Sequence, residues 1–456
     1  MVDPTLSNLA PRFWKVWFHL GAIAASITMI VGMIVIAFAA LKILSSFNTS
    51  STHAKREWTD KEQVFLPMIP GVTLPMSHIG YYLLALMVCG LFHEAGHAMA
   101  SFAEGIPIQS SGVFFMYLYP GAFVNIPDQQ LATLTPFRQL KIVCAGVWHN
   151  LILYLFCLVS LAGGLKMLLV LIGWQSLENL GGVGVVHIRT NSPLASHLPP
   201  STLIYQLDDT PLSQNIEDWN AFLFKENARH TTDLGFCVSK PLEDYGKECC
   251  DVTDDFPFGQ SMNTSISCFQ ALEEVTDKQC LPTLPVLATK NRPRCYKASD
   301  CNGDEKCVIP YTPSSAGQVV RISAQYPSWI ENGAEKIFIF EGELVDIWES
   351  VKVSLLRPRF WILPTSLPHI LELILRYISS FTIALALLNI LPAFKLDGEF
   401  ALEQLLIWMI QPAEAVTTRN SLLTRRIQEM VIKVTSIVVG FVIAGSLVMG
   451  LLSSLK

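Results

Sequence analysis

The sequence predicts an α-helical polytopic membrane protein with a β-hairpin between two of its spans and a polar α+β domain that carries a cysteine-rich insert. Three observations support this. First, the 456 residues are 51% apolar and only 15% charged, with a mean hydropathy of +0.40, which is more apolar surface than one soluble core can bury. Second, Leu20 to Leu41 and Val434 to Leu455 contain no charged residue, and each meets the roughly 20-residue requirement for crossing a bilayer. Third, of eleven cysteines, Cys89, Cys144 and Cys157 lie in apolar windows while the other eight fall between Cys237 and Cys307 in one polar stretch. The net charge of -6 and pI near 5.9 give no basic excess that would point to nucleic acid.

Taken in order, residues 1–48 form the first span. Arg12 and Lys15 before it favour a cytosolic N-terminus, with Lys42, Lys55 and Arg56 weighing on the other side. A polar link from Ser45 to about Pro75 leads to a second span, 76–108, which has His93, Glu94 and His97 built into it and ends at Gly105-Ile106-Pro107. Residues 109–135 contain Gly112 to Ile126, aromatic and β-branched around Pro120-Gly121, which reads as a membrane-associated β-hairpin. A third crossing covers 138–173, interrupted only by His149 and Lys166 beyond Ile142.

Residues 181–236 and 317–359 are mixed and polar, with strands expected at Val183 to Ile188 and Ala334 to Phe340, and 237–316 is the cysteine-rich insert. A fourth span, 365–400, is uncharged from Tyr377 to Phe394 and ends in Asn389-Ile390-Leu391-Pro392 and Leu396-Asp397-Gly398. Ala401 to Ile410 is expected in the interface, within a segment 401–433 whose Arg419, Arg425, Arg426 and Lys433 mark it as cytosolic. The last span is 434–455. Eight clustered cysteines without paired C-x-x-C spacing fit disulfides in an oxidising lumen better than a metal module, and the sequon at Asn263 agrees.

His93-Glu94-Ala95-Gly96-His97 is an H-E-x-x-H motif. On a helix its histidines share one face and can hold a zinc ion, with Glu94 beside them as a general base. The His and Glu content of the chain gives an expectation of about 0.01 chance matches. An ionisable cluster within an apolar segment is a functional candidate by its cost alone. Catalytic zinc takes three protein ligands and leaves one position open. Asp397 is the only aspartate after Asp346, and Gly398 beside it leaves room for close approach. If the second span starts at the lumenal face, His93 lies about 21 Å into a core of about 30 Å. One crossing out and one back then bring Asp397 to the same, cytosolic end. Pro392 cannot donate to Leu388, so it frees that carbonyl and ends the helix before the third ligand. His149 and His369 read as structural.

HEAGH, Gly146-Val147-Trp148-His149-Asn150, Asn389-x-x-Pro392 and Leu396-Asp397-Gly398 together resemble the site-2 proteases from about Pro75 onward. The polar domain, with Gly182-Val183-Gly184-Val185 and Asp208-Asp209-Thr210-Pro211, looks like the lumenal PDZ-like domain of the animal form, although the serine-rich lumenal segment of some animal members is short or missing. The resemblance implies a re-entrant hairpin and zinc at His93, His97 and Asp397. It also implies catalysis by Glu94, with Asn150, Asn389, Pro392 and Gly146 on the substrate side. Its implied substrates are single-pass membrane proteins: transcription-factor precursors of the sterol regulatory element-binding and stress-sensor types, cut after a first lumenal cleavage. The implied location is the Golgi or endoplasmic reticulum membrane, with the lipid bilayer as the medium and the PDZ-like domain limiting access by size. A zinc transporter and an inactive client-binding scaffold are the rival readings. Glu94 and the lack of an internal repeat speak against the first, and the intact ligand set against the second.

Overall fold

The computed structural model describes residues 11–48, 75–116, 119–224, 234–239, 248–250, 266–272, 277–289, 293–311, 318–410 and 418–454. The sequon at Asn263 lies outside them. The chain forms two units, residues 1–165 with 371–456, and residues 166–370. Among the described residues five helices are long and apolar enough to cross a membrane: Arg12–Ser45, Met76–Ala103, Pro136–Ile172, Leu367–Ile390 and Arg425–Met449.

The first unit begins with α1 (Pro11–Asn48) and α2 (Ile79–Ala103). Gly105, at φ +84, ends α2, and the Ile106 N–H closes back on the Ser101 carbonyl at 2.9 Å, a glycine-terminated helix end. The hairpin follows as β1 (Ser110–Met116) and β2 (Tyr119–Asn125). Its register pairs Phe115 with Pro120 and Met116 with Tyr119, so Pro120-Gly121 is not the turn. Those two residues belong to β2 because Gly121 lies under the Phe114 ring, where a methyl group would come within 2.3 Å of it. Pro120 is tolerated near the end of a two-stranded ribbon.

After the short α3 (Asp128–Leu131), α4 (Pro136–Val159) opens with Thr135 and Pro136 as N-terminal signal. The expected single crossing over 138–173 is interrupted: Ser160–Gly164 forms a π-type turn with Gly163 at φ +135 before α5 (Leu165–Ile172). The Gly163-Gly164 pair permits the break. Glu104, at the end of α2, is buried between Lys141 and Arg138 of α4. Burial opposes its charge, but these two cations hold its carboxyl below the usual range, and the cluster fixes how far α2 and α4 slide past one another.

In the second unit, β3 (Trp174–Ser176) pairs with β15 (Leu356–Pro358). β4 (Val183–Ile188), β5 (Leu203–Leu207), β6 (Thr210–Pro211), β12 (Gln318–Gln325), β13 (Glu335–Gly342) and β14 (Val351–Ser354) form an antiparallel sheet in the order β13-β12-β5-β4-β14, with β6 on β5. Its core joins Val183, Ile204, Leu207, Val320 and Ile322 to Trp219 and Phe222 of α6 (Ile216–Leu223) and Ile347 of α8 (Leu344–Ser350).

The cysteine-rich region forms its own sheet, β10-β7-β11-β8-β9, from β7 (Gly235–Val238), β8 (Ile266–Ala271), β9 (Lys278–Pro282), β10 (Arg294–Cys295) and β11 (Lys306–Pro310), with α7 (Thr283–Leu287) beside it. It therefore starts at Gly235, before the first cysteine. All eight cysteines pair, as Cys237–Cys301, Cys249–Cys280, Cys250–Cys268 and Cys295–Cys307. So small a core benefits from such staples.

The chain returns to the first unit through α9 (Leu367–Ile390), α10 (Asp397–Ile410) and α11 (Thr418–Ser454). Asp397 does not end the fourth span; it opens α10. Pro392 stops α9, Lys395 at φ +64 turns the chain, and the acidic Asp397 and Glu399 occupy the first turn of the new helix, where the helix dipole favours negative charge. The Leu388 carbonyl is not left free, since the Leu391 N–H takes it at 3.2 Å. Ala401 is buried with Cys144 and Val147 of α4, Ala386 and Ile390 of α9 and Ala22 and Ala25 of α1. α10 thus packs against the helices rather than lying free in an interface.

At the β5–β6 turn, Asp208 accepts a hydrogen bond from the Arg321 N–H at 2.7 Å, with Asp209, Arg321 and Arg294 around it. Burial pushes its carboxyl up to about 6 from the ordinary 3.8. The folded state therefore holds a proton that the unfolded chain has released. This contribution is complete below pH 3.8 and is lost as pH rises through about 6. Thermal unfolding should show a loss on the order of 1–3 kcal/mol across that window, and Asp208→Asn should flatten it; an unchanged slope would contradict the assignment.

Candidate metal centre

His93 and His97 sit one turn apart on α2, with ring centroids 4.8 Å apart. The His97 Nδ1–H donates to the Ile142 carbonyl of α4 at 2.9 Å, which leaves the lone pair on Nε2 pointing away from that bond. Nε2 of His97 is 3.1 Å from Nε2 of His93, and Oδ2 of Asp397 is 2.9 Å from the latter and 3.3 Å from the former. His93 is buried, and Asp397 stays partly open. Glu94 lies in the electrostatic reach of all three, and the Val124 N–H of β2 faces its carboxylate.

The triangle fits zinc. Ligands held tetrahedrally at about 2.0–2.1 Å from an ion lie about 3.3 Å from one another, and these three edges are 2.9, 3.1 and 3.3 Å. Two imidazoles and one carboxylate are three donors, the number that catalytic rather than structural zinc sites take from the protein. Two other groups of potential ligands exist among the described residues, Cys237, Cys295 and Cys301, and Cys249, Cys250 and Cys280. Their sulfurs are spent in disulfides.

Glycines make the approach possible. A methyl group on Gly146 would lie 2.4 Å from His97 Nε2 and 2.7 Å from the His93 ring. One on Gly96 would lie 2.5 Å from the Ala145 carbonyl and 2.7 Å from Nδ1 of His149, so the α2 backbone comes directly against α4 here. One on Gly398 would lie 2.1 Å from the Ile390 carbonyl and 2.2 Å from that of Leu391. Asp397 therefore reaches the histidines because the turn after α9 folds directly onto the start of α10.

Of the remaining residues singled out in the sequence, Asn389 brings Nδ2 to 3.2 Å from His93 Nε2, and Asn150 brings Nδ2 to 3.2 Å from His93 Nδ1. Asn150 is fully buried. Pro392 is buried in the turn before α10. His149 bonds the Ala145 carbonyl at 2.8 Å, lies among Trp17 and Phe18 and backs onto Gly96, outside the triangle of His93, His97 and Asp397, and His369 is exposed in the other unit. Sequence reasoning missed the Ile142 carbonyl, the Val124 N–H and Gly96. Only Gly96 left a signal, a glycine within the motif on the face of its histidines.

Gly146→Ala and Gly398→Ala should weaken zinc binding about 10-fold or more, whereas Gly90→Ala on α2, where an added methyl group would meet nothing within 4 Å, should leave it alone. Metal titration of the purified proteins checks this. Wild-type affinity in Gly146→Ala would show that the crossing does not set the site.

Comparison with known proteins agrees with this geometry. The model of Peptidase family M50 matches residues 81–439. The chain is also 26% identical over 435 residues to the Arabidopsis thaliana protein described as "Membrane-bound transcription factor site-2 protease homolog", a similarity that covers 85% of this chain and 80% of that one. A family match across this much of the sequence makes the chain a member of Peptidase family M50, the intramembrane metalloproteases of the site-2 protease type.

Proposed function

We propose that the chain is a zinc endopeptidase that cuts a single-pass, membrane-anchored transcription-factor precursor within or at the edge of its transmembrane helix, after a first lumenal cut. One observation carries the reading: His93 and His97, on an apolar helix long enough to cross a membrane, converge with Asp397 beside Glu94. The name of the plant relative supports the substrate class. Precursors of the sterol regulatory element-binding and stress-sensor types belong to it.

A bound zinc supplies Lewis-acid activation of water and of the scissile carbonyl. Glu94 takes the proton of the attacking water and returns it to the leaving amine nitrogen. The Val124 N–H steadies its carboxylate from β2. The hairpin is read as re-entrant, and β1 as the strand on which an extended substrate pairs. β1 is exposed along its length and, among the described residues, bonds only β2, so its outer edge is open to a peptide. A transmembrane helix must be unwound before it can be cut, and each backbone group freed in hydrocarbon costs several kcal/mol. Asn389, half-buried at the metal ligands, can bond the opened backbone, with Gly146 and Pro392 shaping the wall beside it.

The sheet of β4, β5, β6, β12, β13 and β14 with α6 and α8 is read as a PDZ-like domain that limits access by size. The disulfides of the cysteine-rich region support an oxidising compartment, hence a lumenal placement in the Golgi or endoplasmic reticulum and glycosylation at Asn263. The site would then lie toward the cytosolic side.

Purified protein incubated with transmembrane-helix substrates tests the reading. Glu94→Gln should retain zinc and lose about 100-fold or more of its cleavage rate, and proline placed from Val113 to Met116 should reduce cleavage while sparing zinc. Wild-type rates in Glu94→Gln would refute the catalytic assignment; unaffected cleavage in all the proline variants would remove the strand edge from the mechanism.

A further inference from the structure

His93 has more donors around it than a neutral imidazole can accept. Nδ2 of Asn150 lies 3.2 Å from its Nδ1, and Nδ2 of Asn389 lies 3.2 Å from its Nε2. One ring nitrogen of a neutral histidine must carry a proton, so it cannot accept from both amides. A ligand that offers Nε2 to a metal carries its proton on Nδ1, and that proton needs an acceptor. The group facing Nδ1 is the amide of Asn150, whose own oxygen, Oδ1, is buried without any partner. A half-turn of this amide exchanges its two atoms and brings Oδ1 to the position facing Nδ1.

We propose that Asn150 is a positioning residue: it accepts the Nδ1–H of His93 through Oδ1 and so holds the tautomer and ring plane in which Nε2 points at the metal. The surroundings suit this role better than contact with substrate. Asn150 and Thr382 are both 0% exposed, and the Thr382 hydroxyl donates to the Asn150 backbone carbonyl at 3.0 Å, which ties this point of α4 to α9. His97 is served in the same way by the Ile142 carbonyl at 2.9 Å, so each histidine ligand would have an oxygen acceptor on α4 behind it.

The proposal rests on the metalloprotease reading, and the test separates the two. Zinc affinity is measured by chelator competition on the purified full-length protein, as wild type, Glu94→Gln, Asn150→Leu and Asn150→Asp. Asn150→Leu is expected to bind zinc 10–100-fold more weakly. Asn150→Asp, the same shape but an acceptor only, is expected to stay within about 3-fold of wild type or bind more tightly, as carboxylates behind metal-bound histidines do. Loss of affinity in Asn150→Asp equal to that in Asn150→Leu would mean that the amide donates, and would overturn the proposal; so would wild-type affinity in Asn150→Leu. Where Asn150→Leu does not accumulate as folded protein, Asn150→Asp decides alone, a 10-fold loss overturning the proposal and retention supporting it. If wild type and Glu94→Gln both fail to bind zinc, the metal reading itself falls and takes this proposal with it.

Discussion

The close crossing of α2 and α4 is the constraint on which the site depends. At Gly96, Ala145 and Gly146 the two backbones approach closely, and the imidazoles of His93 and His97 occupy the space that a single methyl group on Gly146 would fill. In a bilayer, where apolar side chains gain little by leaving lipid, small residues that let backbones approach are a main source of helix association. The same contact does two jobs here. It packs the helices, and it brings the Ile142 carbonyl within reach of His97 so that the ring is fixed by backbone rather than by a mobile side chain. The buried Glu104–Lys141 pair, with the more exposed Arg138 beside it, locks the sliding coordinate of the same two helices. A buried ion group is a poor source of net stability but a good one of register.

Asp397 is brought to the histidines by a different device. A helix broken by Pro392 and restarted at Asp397 folds back so tightly that Gly398 lies against the carbonyls of Ile390 and Leu391. The carboxylate thus stands at a helix N-terminus, where the dipole favours its charge, and beside two histidines. The resulting cluster is buried on the histidine side and more open at Asp397. The second unit is built on other principles, a sheet with two helices over a shared apolar core and a small attached sheet held by four disulfides.

Much of this was legible in the sequence, because its strongest signals are local. H-E-x-x-H places both histidines on one helical face whatever surrounds it, and long uncharged runs identify spans by their transfer energy alone. Asp397 could be reached by counting crossings. What could not be read were contacts fixed by tertiary approach. Pro120-Gly121 carries a turn signal, yet the Phe114 ring needs the space above Gly121 and draws both residues into β2. Asp397 reads as the end of a helix because Leu396-Asp397-Gly398 follows an apolar run, and only the fold shows that a new helix starts there. Asn150 reads as a polar group aimed at substrate, and its complete burial behind His93 depends on α4, α9 and α2 meeting at one point. Cysteine pairing was equally closed to inspection, since eight cysteines allow 105 connectivities.

Two histidine nitrogens and one carboxylate oxygen are proposed to hold a single zinc ion inside the helical unit. X-ray absorption at the zinc edge of the purified protein tests this. Only nitrogen and oxygen scatterers at about 2.0–2.1 Å are expected, with the outer-shell pattern of two imidazoles and one zinc per chain. A sulfur shell at about 2.3 Å would place the metal on cysteines instead and contradict the assignment.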